Sequence, residues 1–232
     1  ELARREFFGE PTDQLYFDYG AWVRPGWFVF RDGGGRDISR FDLDLRIWAD
    51  LRYGPHQLFA RGRFIFSQYA NEDGPEGRDD IYDGPAGDVV FYQLLFGDLV
   101  GAPDRWWDLV LRVGRQYQRM AGGLTYNGVG DGVSLRGNLG PVDFDFFGHR
   151  AIEQEDDIDI SRPTADDTSR FFIGGQVSVR AIDDHTPWVG FLVERDFADD
   201  GESDQEYEFD AEYYGAGIHG QLFLDGLNYE IE

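Results

Sequence analysis

Between Phe41 and Arg52 the chain alternates with a period of two, and this pattern constrains the fold more than any other feature. The odd positions read Phe41, Leu43, Leu45, Ile47, Ala49 and Leu51; the even ones read Asp42, Asp44, Arg46, Trp48, Asp50 and Arg52. A β-strand places these two sets on opposite faces. One face is then wholly apolar and the other almost wholly charged.

The same alternation recurs downstream. Leu58, Ala60, Gly62, Phe64 and Phe66 oppose Gln57, Phe59, Arg61, Arg63 and Ser67, and Leu109, Leu111 and Val113 oppose Asp108, Val110, Arg112 and Gln116. Val142, Phe144 and Phe146 oppose Asp143, Asp145 and His149; Phe171, Ile173, Val177 and Val179 oppose Arg170, Gln176, Ser178 and Arg180. Val189, Phe191 and Val193 oppose Gly190, Glu194 and Asp196, and Tyr214, Ala216, Ile218 and Leu222 oppose Tyr213, Gly215, His219 and Gln221. Residues 89–99 also read as extended, with faces hard to tell apart.

Two turns set a register. Tyr53-Gly54-Pro55-His56 and Leu139-Gly140-Pro141-Val142 read as two-residue hairpin loops. The first puts Leu51 opposite Leu58, Ile47 opposite Gly62 and Arg46 opposite Arg63. The second puts Leu135 opposite Phe146, Gly137 opposite Phe144 and Arg136 opposite Asp145. In both, the apolar faces coincide, as a shared sheet surface requires. Pro at the second loop position leaves the turn type open.

The connections alternate in length. Short ones fall at 53–56, 100–106, 139–142, 183–187 and 225–227, and long ones at 32–40, 70–88, 118–131, 152–169 and 197–209. The long ones are acidic and glycine-rich, as in Asn71-Glu72-Asp73-Gly74 and Glu153-Gln154-Glu155-Asp156-Asp157. Short turns at one end and long loops at the other are the layout of an outer-membrane barrel. A soluble sandwich or lipocalin has no reason to segregate them. Trp106, Trp107 and Trp188 stand beside short turns, where an interfacial aromatic belt would lie; the plainer reading makes them core aromatics.

Composition narrows the function classes. The formal net charge is −24, with 45 acidic residues against 21 basic ones. A nucleic-acid partner needs a basic face and is not expected. An aromatic content of 16% and 31 glycines argue for sheets with tight turns over disorder. There is no cysteine, hence no disulfide or thiolate site. No run of about 18 apolar residues offers a transmembrane helix, but barrel strands cross in about 10 residues with every second side chain apolar. The first ten residues, from Glu1, are charged and show no signal peptide, so a targeted protein would stand here in mature or trimmed form. The expected fold is all-β: an antiparallel up-and-down transmembrane barrel over 15–232, with ten or eleven strands and an N-terminal extension over 1–14.

Several segments resemble outer-membrane barrels of the alginate-export type. They are Asp42-Leu43-Asp44-Leu45-Arg46-Ile47-Trp48-Ala49, Phe59-Ala60-Arg61-Gly62-Arg63-Phe64 and Leu111-Arg112-Val113-Gly114-Arg115-Gln116. The stretch from Gln93 to Phe96-Gly97-Asp98-Leu99 is similar to the strand before that family's Gly-Arg-Gln motif, here Gly114, Arg115 and Gln116. The likeness covers about 15–200, by strand order more than by identity. It implies a monomeric barrel with an arginine-lined channel for an anionic polysaccharide. That family generally has more strands, and Leu227-Asn228-Tyr229-Glu230-Ile231-Glu232 reads as the start of a further one, so a fragment of a longer barrel is expected.

The inward parity collects Arg46, Arg52, Arg61, Arg63, Arg112, Arg136 and Arg180 with Asp44, Asp50, Asp108 and Asp145. Guanidinium groups grip carboxylates in a fork, and a row of them makes a path for an anionic chain. Arg46 beside Arg63 is unfavourable unless an anion lies between them. Pore-selective arginines and a structural salt-bridge lattice stand as equal readings. No enzyme is expected: Asp143 with Asp145, or Glu194 with Asp196, sit side by side on one strand and do not flank a bond. His149 with Asp145 lacks a serine placed by motif. His56, His149, His185 and His219 have no metal-site spacing, and the glycine runs at Asp32-Gly33-Gly34-Gly35 and Ala121-Gly122-Gly123 precede no helix that would hold phosphate. No cofactor or metal is expected; calcium bridging to lipid phosphates would have no twelve-residue calcium loop to use. The expected function is an outer-membrane diffusion or export pore, in contact with lipid and lipopolysaccharide, with an anionic oligosaccharide as cargo. The alternative is a soluble secreted β-protein binding glycans through exposed aromatics.

Overall fold

The computed structural model describes residues 12–31, 37–69, 81–101, 106–120, 123, 125–151, 170–180, 184–197, 210–222 and 227–231. They form one sheet of eleven strands: β1 (Thr12–Arg31), β2 (Asp37–Gly54), β3 (His56–Tyr69), β4 (Ile81–Leu95), β5 (Trp107–Met120), β6 (Tyr126–Leu139), β7 (Val142–Ala151), β8 (Arg170–Val179), β9 (His185–Asp196), β10 (Ala211–Leu222) and β11 (Leu227–Ile231). Each strand pairs antiparallel with the next in sequence, so the sheet is a plain up-and-down meander. No pairing joins β1 to β11 among the described residues. The acidic stretches at 71–74 and 153–157 and the glycine run at 32–35 lie outside the described residues.

Both predicted hairpin registers are present, including Arg46 opposite Arg63 and Arg136 opposite Asp145. Gly54 and Gly140 have φ of 54° and 60°, while the ring of the following proline holds φ near −65°. A positive φ at the first loop position alone is the type II′ pattern, which twists with its strands. Neighbouring elements at this end are also stitched sideways. Leu95 N donates to Pro55 O (2.9 Å), Gly140 N to Trp106 O (2.7 Å), Arg180 N to Pro141 O (2.8 Å) and Gln221 N to Asp184 O (2.9 Å).

The two faces are inverted relative to a protein with an apolar core. The charged face is the buried one: Asp44, Asp50, Gln93, Asp108, Gln116, Gln118, Ser134, His149 and Glu194 are all buried. The apolar face is the open one: Ile47, Leu51, Leu58, Val113, Val133, Ile173 and Val189 are exposed. Asp44 is 7% exposed, whereas Ile47 is 49% and Val189 is 59%. Strand β1 is open on both faces, with Phe17, Tyr19, Val23 and Trp27 exposed on the apolar side and Tyr16, Trp22 and Phe28 exposed on the other.

Three expectations need correction. The connection at 118–131 is no long loop, since β5 runs to Met120 and β6 starts at Tyr126. Residues 96–99 are not extended: they belong to a short helix, α1 (Phe96–Val100), ended by Gly101 in the left-handed conformation with its N–H on Asp98 O. Trp188 is no belt residue. It is buried on the charged face, where Gly215 and Gly217 leave room for its ring. Trp106 is exposed beside its short connection.

The β5–β6 hairpin does not continue the sheet in a straight line. Gln118 stands eight positions beyond Val110, the partner of Arg136, and an extended run of that length covers about 26 Å. Yet Arg136 Nη2 donates to Gln118 Oε1 at 2.7 Å, and Gln118 Nε2 donates to Asp145 at 3.0 Å. Farther along, Met120 packs with Phe147, Trp188 and Leu192, and its Cε lies 2.9 Å from where a Cβ on Gly190 would stand. The far half of the hairpin is therefore doubled back over the charged face. Glycines permit it. Gly128, Gly130 and Gly132 leave β6 without side chains on the inner side of that bend, which makes room for Gln116 and Gln118 of β5, and a Cβ on Gly132 would collide with Gly148 O. Opposite, Gly114 adopts φ 120°, closed to most side chains.

Candidate functional site

A cavity of about 820 Å³ opens between the doubled-back hairpin and the wall of β2–β7. Arg46, Arg61, Arg63, Arg112, Arg119 and Arg136 line it, against Asp88 and Asp145. A chain with a net charge of −24 thus concentrates cations at one place inside its curved sheet. Phe59, Phe91 and Tyr117 complete the lining with rings.

Most of the inward arginines hold a carboxylate. Arg46 and Arg63 both reach Asp44, at 3.2 and 3.0 Å. Arg46 and Arg61 share Asp88, at 3.4 and 2.6 Å. Arg136 holds Asp145 at 2.9 Å. Strand alternation explains the pattern, since residues two apart point the same way and cross-strand partners lie beside them. The lattice reading of this face therefore describes the geometry, and the anion between Arg46 and Arg63 is the chain's own Asp44.

Arg112 differs. Its Nε and Nη2 donate to Gln93 Oε1 at 3.0 and 2.7 Å, and its guanidinium lies 4.1 Å from the centroid of the Phe91 ring. Among the described residues it has no carboxylate within salt-bridge distance, and Nη1 has no acceptor. Gln93 passes the contact on: its Nε2 donates to Gln57 Oε1 at 3.1 Å, and Gln57 Nε2 donates to Asp50 at 2.9 and 3.0 Å. A neutral relay thus links Arg112 to the acid on β2. Its positive charge is left for whatever enters the cavity.

The remaining predicted residues are not gathered here. Arg52 pairs with Asp50 at 2.5 Å beside the Gly54 turn, and Arg180 pairs with Asp143 at 2.6 Å beside the Gly140 turn. Of the motif residues, Gly114 is the bend, Gln116 is buried and accepts from Ser134 Oγ at 2.7 Å, and Arg115 points to the other face and grips Asp131 at 2.7 Å. Of the paired carboxylates, Asp143 and Asp145 hold arginines and Glu194 lies 3.5 Å from Arg170; the side chain of Asp196 lies outside the described residues. His149 is not with Asp145. It is fully buried, its Nε2 2.5 Å from Tyr126 Oη and its ring among Phe147 and Phe172. Among the described residues no group of three acids or histidines could hold a metal ion.

Sequence reading did not find Asp88, Tyr117 or Arg119. Asp88 fell at the end of a supposed long loop, and the other two beside or within another. The available signal for Tyr117 and Arg119 was the stripe Gly128, Gly130, Gly132, alternating in phase with a strand. No protein-family model matches this chain, and no curated protein matches it.

Proposed function

We propose that the sheet is the wall of an outer-membrane β-barrel pore, passing small polar solutes with an anionic oligo- or polysaccharide as its cargo. The inversion of the faces carries this reading. A soluble protein rarely exposes a contiguous apolar patch of more than a few hundred Å², whereas here apolar side chains stand exposed on one face of most described strands and the charged face of β2–β9 is buried or half-buried. Lipid on the outside and water on the inside account for both at once. An open sheet edge cannot face hydrocarbon, so the outer edges of β1 and β11 are paired in the membrane.

The cavity supports the choice of cargo. Four of the six lining arginines are held by Asp44, Asp88 and Asp145, while Arg112 keeps Nη1 for a ligand, and a guanidinium so placed favours a carboxylate-bearing chain. The likeness of the Arg46, Arg61–Arg63 and Gly114–Gln116 segments to alginate-export barrels points the same way. The reading includes no chemical step: Asp44, Asp50, Asp88, Asp143 and Asp145 are each engaged by an arginine.

Planar-bilayer conductance tests it. Folded protein should give discrete channel events with anion preference. Their absence would remove the pore; cation preference would keep the pore and remove the anionic cargo.

A further inference from the structure

We infer that the doubled-back end of the β5–β6 hairpin is the selectivity element of the lumen, narrowing it and supplying one side of an anion site through Tyr117 and Arg119. This inference rests on the pore reading. By alternation, Tyr117 and Arg119 belong with Leu111 and Val113 on the face that elsewhere is apolar and open. In a straight strand they would meet lipid, where an arginine is strongly unfavourable. Doubling back turns that same face into the cavity, opposite Arg61 and Arg112.

The hairpin is seated, not draped. Its under-face is fixed by Gln118 on Asp145 and Arg136 and by Met120 against Gly190 and Phe147. Tyr126 Oη meets His149 beside the turn. The upper face is stiffened by Tyr117 Oη donating to Asn127 Oδ1. A seat of this kind holds Arg119 on one side of the cavity while Arg112, with an unused Nη1, stands on the other. The exposed ring of Tyr117 suits the apolar C–H face of a sugar ring, and about 820 Å³ is within the usual range for a small-ligand site. The ligand class is a short acidic oligosaccharide gripped through its carboxylates from two sides.

The test uses the full chain folded in detergent or lipid, with trigalacturonate as probe and maltotriose as neutral control. Trigalacturonate should bind, maltotriose at least tenfold more weakly, and Arg119→Ala should weaken trigalacturonate at least fivefold without changing circular dichroism. Arg195→Ala, on the opposite face beside Glu212, should leave binding unchanged. Because the chain has no cysteine, a Met120→Cys/Gly190→Cys pair should cross-link with a short bis-thiol reagent and report the hairpin directly. Failure of that cross-link in folded protein, or equal binding by wild type and Arg119→Ala, would overturn the inference and leave the pore standing. Binding that depends on Arg119 in a protein giving no channel events would support the site and remove the pore.

Discussion

Arg46 and Arg63 face each other across β2 and β3, and the charge that separates them is built in: both guanidinium groups rest on Asp44, at 3.2 and 3.0 Å. Asp44 is therefore the keystone of this part of the lattice. Removing Arg63 leaves Asp44 still held by Arg46, so Arg63→Ala is expected to cost less than about 1 kcal/mol. Removing Asp44 leaves two like charges adjacent, with only Arg46 retaining another acid, Asp88. Breaking a buried pair costs about 3–5 kcal/mol; partial exposure of both arginines reduces this to about 2 kcal/mol for Asp44→Ala. Urea unfolding of the protein in lipid vesicles measures both, and an Arg63 variant less stable than the Asp44 variant would contradict the arrangement.

On the other side of the same strands, Leu45 stands opposite Phe64 on the apolar face. Leu45→Arg is expected to destabilise the inserted protein by about 2–4 kcal/mol if position 45 lies near the bilayer midplane. Heat-modifiable migration after folding into vesicles reads this out. A Leu45→Arg chain that folds like the wild type would mean that this face does not meet lipid.

The registers of the two Gly-Pro hairpins were legible in the sequence because a two-residue loop fixes which residues pair, and one apolar face fixes which side they share. The inward arginines were legible for the same reason. So were the partners Asp44, Asp50 and Asp145, which share that face; Asp88 was not, because it lies in a register shift between β3 and β4, where alternation alone cannot place it. The hairpin end was misread because Gly128, Gly130 and Gly132 dilute the apolar pattern and resemble loop composition, while in the structure they are the reason that a strand can bend there. Trp188 was read from its position along the chain, which was right, but its ring turns inward into space left by Gly215 and Gly217.

The bend itself can be tested at Gly132. A methyl group there would collide with Gly148 O and lie 2.5 Å from His149 Cα, contacts that only a backbone shift relieves. Gly132→Ala is expected to unseat the hairpin, seen as faster proteolysis within 117–129 and a stability loss of about 1–3 kcal/mol. Gly54→Ala provides a contrast, since nothing lies within 4 Å of a Cβ there; its positive φ should cost about 1 kcal/mol and leave the hairpin protected.

Tyr126 and His149 form the polar contact beside the hairpin turn, Oη to Nε2 at 2.5 Å. Tyr126→Phe keeps the ring between Phe147 and Phe172 but leaves the fully buried imidazole without that partner. The expected loss is about 1–3 kcal/mol. Tyr126→Phe/His149→Phe should recover part of it, because both polar groups are then gone; a double variant less stable than the sum of the singles would show that the contact is not the one described.

The pore reading requires the open apolar face to meet lipid and the covered charged face to meet water. Single cysteines in this cysteine-free chain can carry an environment-sensitive fluorophore at Ile47 and Val189 on one face, and at Gln57 and Ser178 on the other. In vesicles containing lipids with a quencher on the acyl chain, labels at 47 and 189 should be strongly quenched and those at 57 and 178 should not. A water-borne quencher should give the reverse order. Acyl-chain quenching at 57 and 178 with none at 47 and 189 would contradict the assignment of the faces, and the lumen would have to be abandoned with it.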